Sequence, residues 1–221
     1  MNKNNLSVLA IETTGTLCSV CVYKSDIEYF NLSLMKEKVH SKKILSLIEF
    51  AMSEIGIEYS ELAGICISEG PGSFTGLRLG FAAAKGIAFG QNIGIMKVPT
   101  FESLAFEVSE NMDVGTKGLI VTKAALEESY LYGFESAEDG FSEILPLQLV
   151  MNRDIIYLIE SGGFEKIYSN IKIDHRSKIE KSSPDALSIA KYATKKLNFA
   201  FDLEIDFVEP YYFKNFQVKV K

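Results

Sequence analysis

Residues Ser68–Gly80 read SEGPGSFTGLRLG, and their types and spacing point most directly to chemistry. Gly70, Gly72 and Gly76 surround Pro71, Ser73 and Thr75 and run into an apolar, helix-like stretch. Glycines permit a tight turn with its backbone N–H groups exposed, and a helix N-terminus behind the turn favours an anion. The chemistry on offer is phosphate binding. The alternative is a strand-to-helix turn with Ser73 or Thr75 as the cap. A Walker loop needs G-x-x-x-x-G-K-[ST], and no register here supplies it. A nucleophile elbow needs glycines two residues to either side of the serine, where Ser73 has Pro71 and Thr75. By motif the loop carries no catalytic signature.

The remaining candidates are sparse. The chain has two histidines, His40 and His175, and they form no metal-binding pair. His40 opens a helical stretch, and as a base it would need a partner and a nucleophile that the sequence does not name. Cys18 and Cys21 make a C-x-x-C inside an apolar run, and Cys66 completes an odd set of three. This reads as buried, reduced thiols rather than a zinc site or a disulfide framework. Behind the glycine loop, Gly76, Gly80, Ala84 and Ala88 recur every four residues and line one helix face. Glycine in a helix costs roughly 1 kcal/mol relative to alanine, so the row serves packing. It either sits on the chain's own sheet or forms a helix–helix interface with a partner.

The elements that position these residues follow from periodicity. Ser7–Glu12, Leu17–Lys24 and Ile27–Leu34 are strand-like and joined by short turns, which predicts an antiparallel meander. HSKKILSLIEFAMSEIG places Ile44, Leu45, Leu47, Ile48, Ala51, Met52 and Ile55 at amphipathic helical spacing, with Ser41 as N-cap and Gly56 as C′ residue. AGICISE is a buried strand, Phe74–Phe89 a helix, GIMKV a strand and Thr100–Ser109 a helix. The order β-β-β-α-β-α-β-α builds a mixed sheet with helices on both faces, the ribonuclease-H-like layout of each lobe in the actin-like and sugar-kinase superfamily. Further on, GLIVTKA and SYLYGFE form a strand pair, Glu143–Val150 is strand-like and NRDIIYLIES is a short helix. SSPDALSIAKYATKKL is a helix with Ser183 at N-cap and Pro184 at the first position. No repeat is visible. The expected division is a first lobe over 1–104 and a smaller second lobe over 105–221, its tail packing back on the first.

The chain has 221 residues, 47% hydrophobic and 24% charged, with a net charge of −6. That is ordinary globular composition. Unaided nucleic-acid binding normally shows a basic face, which this balance disfavours. The most apolar helix contains Arg78, Lys85 and Gly86, so it is not a membrane span. The N-terminal apolar run breaks at Glu12, too early for a secretory signal. A cytoplasmic protein with no membrane partner is expected.

AIETTGTLCSV, HSKKILSLIE, SEGPGSFTGLRLGFAAAKGIAFG and the terminal EPYYFKN together resemble the bacterial TsaB (YeaZ) family, collinearly over about Leu6–Leu104. The resemblance implies two ribonuclease-H-like lobes and a role in making N6-threonylcarbamoyladenosine at position 37 of tRNAs that read ANN codons. It implies a non-catalytic scaffold that pairs with a TsaD-like catalytic subunit and recruits a TsaE-like ATPase, reaching tRNA only through the complex. The isolated chain would have homodimerisation open to it. No cofactor is required by the chain itself, and ATP or ADP has a place at the complex interface. Glu12 and Thr13 stand where active superfamily members carry an acidic turn, with Glu12 in place of the usual Asp. With Gly70, Gly72, Ser73, Thr75 and Gly76 they form an inherited phosphate loop without its chemistry. Thr100 and Leu104 stand where TsaD-like proteins carry a metal-binding histidine pair. The partner contact implied by the family falls on His40, Ile44, Leu47, Ile48, Leu77 and Phe81, and the small-residue row Gly76, Gly80, Ala84 and Ala88 is assigned to the same interface. Phe50 adds an apolar group to the polar face of the first helix. KAALEESY departs from the family's D-A-R-x-x-E-V-Y, with Lys123, Ala125 and Ser129 replacing Asp, Arg and Val. The competing readings are a glycoprotease-like metallopeptidase and an ATP-dependent kinase of the actin-like fold.

Overall fold

The computed structural model describes residues 6–35, 40–175, 179–181, 183–197 and 200–213, and the side chains at 40–42, 179 and 181 lie outside the described ones. Ten strands and five α-helices alternate along the described chain. The first run is β1 (Ser7–Glu12), β2 (Leu17–Ser25), β3 (Glu28–Met35), α1 (His40–Ile55), β4 (Leu62–Ser68), α2 (Phe74–Gln91), β5 (Gly94–Val98) and α3 (Thr100–Ser109). The second is β6 (Lys117–Lys123), β7 (Glu128–Ala137), β8 (Gly140–Met151), α4 (Ile155–Gly162), β9 (Lys166–Ser169), β10 (Ile179–Lys181) and α5 (Ala186–Lys196). Contacts divide the chain into two units, Met1–Thr100 with Asp185–Lys221, and Phe101–Pro184.

The first unit is a five-stranded sheet in the order β3-β2-β1-β4-β5. β1 pairs antiparallel with β2 and parallel with β4, so the meander and the crossover strands meet at β1. All six residues of β1 are buried, as expected for a central strand covered on both faces. On one face Leu9, Ile11, Val20 and Val22 pack with Ile44 and Ile48 of α1 and Leu77, Phe81 and Ala84 of α2. α5 packs on β1 and β2, through a face that includes Ala186, Ile189, Ala190 and Ala193, all buried. Alanines let that helix lie close to the strands. The first unit therefore keeps residues 185–213 in addition to its N-terminal portion, rather than ending at 104.

The second unit repeats the same order, β8-β7-β6-β9-β10. Its meander is antiparallel and β9 and β10 run parallel to β6. Leu119, Val121, Leu131, Ile155, Ile159 and Ile167 form its core. The sequence shows no repeat because topology, not residue identity, is what the two sheets share. β9 and β10 escaped sequence reading: one is four residues long and the other three, too short for alternation to register.

The N-terminus of α5 corrects one expectation. Ser183 is not the cap. Asp185 has extended backbone and accepts from the Ser188 N–H at 2.9 Å, while its second oxygen accepts from Asn31 Nδ2 at 3.2 Å. Asp185 takes the role because it satisfies the helix end and ties it to β3 at once.

Candidate functional site

The glycine loop lies between β4 and α2, facing the Glu12–Thr14 turn at the end of β1. The turn and the loop are bonded to each other. Ser73 N–H donates to Thr14 O at 2.7 Å, and Thr13 Oγ1 donates to Gly76 O at 2.8 Å. The loop also closes on itself: Gly76 N–H donates to Ser73 Oγ at 3.2 Å, which makes Ser73 the N-cap, while Thr75 is exposed. Gly70 N–H donates to Thr100 Oγ1 at 3.0 Å. Three N–H groups that a phosphate would require, those of Gly70, Ser73 and Gly76, are thus spent within the chain.

The glycines make this closure possible. A methyl group at Gly76 would strike Thr13 O, one at Gly80 would strike Thr13 Oγ1, and one at Gly72 would meet the Thr14 backbone and side chain. The space that glycine leaves open for a ligand elsewhere is occupied here by the first turn of the same chain. Gly70, at φ +106°, needs glycine for its backbone and also abuts Tyr211 O. The C-terminal segment seals that side, with Tyr211 N–H donating to Glu69 O at 2.8 Å.

Glu12 organises the turn. Its Oε1 accepts from both the N–H and the hydroxyl of Thr14, while Oε2 is buried with no hydrogen-bond partner among the described residues. Complete burial raises its pKa to about 7; hydrogen bonding from Ser68 and Thr14 opposes this, and the nearby Asp185 carboxylate adds to it. Asp185 is the group that sequence reading missed here. It lies 173 positions from Glu12 by their residue numbers, and the one local signal was an acidic residue just ahead of the helix.

The other expected site residues fall into place as follows. Ile44, Ile48, Leu77, Phe81, Ala84 and Ala88 are each at most 5% exposed, within the first unit's own core. Gly76 and Gly80 are buried as well. Of the two readings of the small-residue row, packing on the chain's own fold is the one realised. Leu47 is half-buried, and the side chain of His40 lies outside the described ones. On the outer faces stand Leu45, Phe50 and Phe89, at 56%, 49% and 82% exposure. His175 lies in the second unit, 3.9 Å from Glu160. The thiols of Cys18, Cys21 and Cys66 are buried, and burial pushes that of Cys18 up to about 11 and that of Cys66 up to about 12, so they are unreactive at neutral pH.

Thr100, the first histidine-equivalent position, bonds Ser68 Oγ at 2.6 Å besides Gly70. Leu104, the second, is buried. Both positions carry structural contacts. No group of three or more His, Cys, Asp or Glu side chains among the described residues is arranged to hold a metal. The divergent second-lobe segment forms a tight hairpin, the N–H groups of Ala124 and Ala125 both donating to Glu128 O at 3.0 Å. A groove of about 400 Å³ runs along α2 and the tail, lined by Arg78, Phe81, Ala82, Lys85, Glu209, Pro210 and Tyr212. Its two cations are engaged already. Arg78 lies 3.9 Å above the Phe74 ring, and Lys85 bonds Asp206 O and Glu209.

Two five-stranded sheets of the same ribonuclease-H-like order, with a glycine loop packed on the turn after β1, define the fold class. The sequence model of the TsaD family, tRNA N6-adenosine threonylcarbamoyltransferase, matches residues 35–203, and the chain belongs to that family. Relatives named TsaB and relatives named tRNA N6-adenosine threonylcarbamoyltransferase both match the chain. The tRNA threonylcarbamoyladenosine biosynthesis protein TsaB of Haemophilus influenzae is 30% identical over 102 residues, 46% of this chain and 42% of the relative. That of Escherichia coli is 24% identical over 152 residues, 69% of this chain and 65% of the relative. The chain thus spans about half the length of the curated relatives it matches. A Pseudomonas aeruginosa protein described as similar to peptidase YEAZ shares the fold with a TM-score of 0.76 at 18% identity, covering 95% of this chain and 100% of the other.

Two outcomes follow from this geometry. Gly76→Ala forces Thr13 and the helix apart and should cost about 1–3 kcal/mol by overpacking. Gly86→Ala, where a methyl group meets nothing, should be neutral or stabilising by up to about 1 kcal/mol; urea unfolding of both variants checks the pair. The Glu12 carboxyl sheds its proton near pH 4.5 in the unfolded chain and near pH 7 in the folded one. Between those values the folded state holds more protons, so stability falls as pH rises, by about 3 kcal/mol in all. Urea unfolding from pH 4.5 to 7.5 should show that decline in the parent and its absence in Glu12→Gln.

Proposed function

We propose that the chain is a non-catalytic subunit in the synthesis of N6-threonylcarbamoyladenosine at tRNA position 37, pairing with a TsaD-like catalytic subunit and, through that complex, with a TsaE-like ATPase. The observation that carries this reading is the closure of the glycine loop by the chain's own Thr13–Thr14 turn. The amides of Gly70, Ser73 and Gly76 are occupied, so the loop acts as a rigid support for the start of α2 rather than as a phosphate cradle. Thr100 and Leu104, in place of a histidine pair, support the same assignment. Family membership supplies the pathway. The acidic balance of the chain fits tRNA being reached through the complex, in the cytoplasm.

The catalytic partner is assigned to the outer faces of α1 and α2. There Leu45 and Phe89 expose apolar surface, and the buried residues beneath, including Ile48, Leu77 and Ala84, hold the two helices in position. Leu47, half-buried at the flank of α1, is the residue of the family-implied set best placed to contribute. ATP or ADP belongs to the assembled complex in this reading.

The test is reconstitution. The chain should catalyse no transfer alone, form a one-to-one species with the TsaD-like protein of its own organism by light scattering, and be required for threonylcarbamoylation of tRNA by that protein. Leu45→Glu with Phe89→Glu should weaken the complex at least tenfold without loss of folded structure. Transfer by the isolated chain, or no complex with and without nucleotide, overturns the reading.

A further inference from the structure

The buried carboxyl of Glu12 has one oxygen bonded to Thr14, while the other, Oε2, has no hydrogen-bond partner among the described residues. A buried acceptor left open is costly, so the groups beside it respond to its state. One neighbour is Ser68, the last residue of β4, whose hydroxyl acts on the Glu12 carboxyl by hydrogen bonding. Ser68 is itself buried and shares a 2.6 Å hydrogen bond with Thr100 Oγ1, in which either oxygen can be the donor. Thr100 Oγ1 in turn accepts from the Gly70 N–H at 3.0 Å. Glu12, Ser68, Thr100 and Gly70 thus form a line from the end of β1 to the first glycine of the loop, all within the first unit.

Counting protons fixes how this line can run. A serine or threonine hydroxyl has one proton to donate, and an ionised carboxylate only accepts. With Glu12 ionised, Ser68 donates to it. The 2.6 Å bond then takes its proton from Thr100, and Thr100 Oγ1 receives the Gly70 N–H. Every bond points toward the carboxylate, and bonds aligned in this way strengthen one another. With a proton on Oε2, Glu12 donates to Ser68 Oγ instead. Ser68 is released to donate to Thr100, whose oxygen then accepts from Ser68 and Gly70 together, and the Gly70 bond weakens. The titratable groups that act on or answer to Glu12 are Asp185 at the start of α5 and Cys18 of β2. The Cys18 thiol, pushed up to about 11 by burial and by Glu12, stays neutral near pH 7. Beside Ser68, Glu69 pairs with Lys97 of β5 at 3.7 Å, and α2 sets Arg78 over Phe74.

We propose that the glycine loop senses the proton on Glu12, whose gain or loss reverses the hydroxyl line through Ser68 and Thr100 and so loosens or tightens the hold on the Gly70 amide. Ser68 and Thr100 are positioning residues in this coupling. Burial brings the Glu12 transition to about pH 7, so both settings of the loop are reached in ordinary solution. The bonds to Thr13 and Thr14 close the loop in either setting, and Gly70 is the point that changes. Every group in the line belongs to the chain itself, so the coupling is independent of the partner assigned above.

The experiment is nuclear magnetic resonance of the isotopically labelled full chain from about pH 5.5 to 8.5, following the Glu12 carboxyl carbon and the Gly70 amide together. Both should titrate with one midpoint near pH 7, the Gly70 proton moving downfield as Glu12 ionises and its hydrogen bond strengthens. In Ser68→Ala the carboxyl should still titrate, with its midpoint raised by the lost hydrogen bond, while the Gly70 response disappears. Thr100→Ser keeps the hydroxyl and should keep the response. Glu12→Gln should hold the Gly70 amide at its low-pH position throughout. A Gly70 amide that stays flat while Glu12 titrates in the parent chain overturns the proposal without need of a variant. So does a Gly70 response that survives Ser68→Ala, or a Glu12 carboxyl that does not titrate in this range.

Discussion

The structure depends on one close approach. The turn after β1 enters the N-terminal end of α2, where Gly76 and Gly80 leave no Cβ, and the carbonyl and hydroxyl of Thr13 take that space. Two interlocking hydrogen bonds, Ser73 N–H to Thr14 O and Thr13 Oγ1–H to Gly76 O, hold the contact. Glu12 fixes the turn from beneath, and Thr100 and Tyr211 hold the loop from the other side. Changing any one of these groups disturbs a support on which both α2 and the central strand rest.

This contact separates frame from chemistry. A glycine loop before a helix is an anion site when its amides point into free space. Here a glycine loop precedes a helix, but the amides of Gly70, Ser73 and Gly76 answer to the chain itself. Such a loop still does physical work, because it fixes the axis of α2 and hence the surface that α1 and α2 turn outward. The buried Glu12 fits this account. It is a carboxyl kept close to neutrality by burial, bonded to a turn rather than presented to a ligand.

Much of the first unit was legible in the chain. The meander, the amphipathic α1 and the buried β4 each carry a strong period, and the sheet order follows from short turns and right-handed crossovers. The glycine loop was legible as a loop, and its lack of a catalytic motif was legible too. What it holds was not, because the contact pairs Thr13 with Gly76, 63 residues apart, and nothing local signals it. The same limit applies to Asp185, whose reach to Asn31 and Glu12 is purely tertiary, and to β9 and β10, which are too short to show alternation. The every-fourth-residue row in α2 was visible, but period alone cannot distinguish a helix packed on its own sheet from one packed on a partner. Burial of Ala84 and Ala88 decides it.

The most direct measurement of the central claim is a titration of the isolated, isotopically labelled chain with Mg·ATP, followed through the backbone amides of Gly70–Leu77. If the loop is closed by its own turn, the Gly70, Ser73 and Gly76 resonances stay in place at millimolar nucleotide, because their N–H groups are already committed. Saturable shifts centred on Gly70, Ser73 and Gly76 would show that the loop opens to receive phosphate, and would contradict the account.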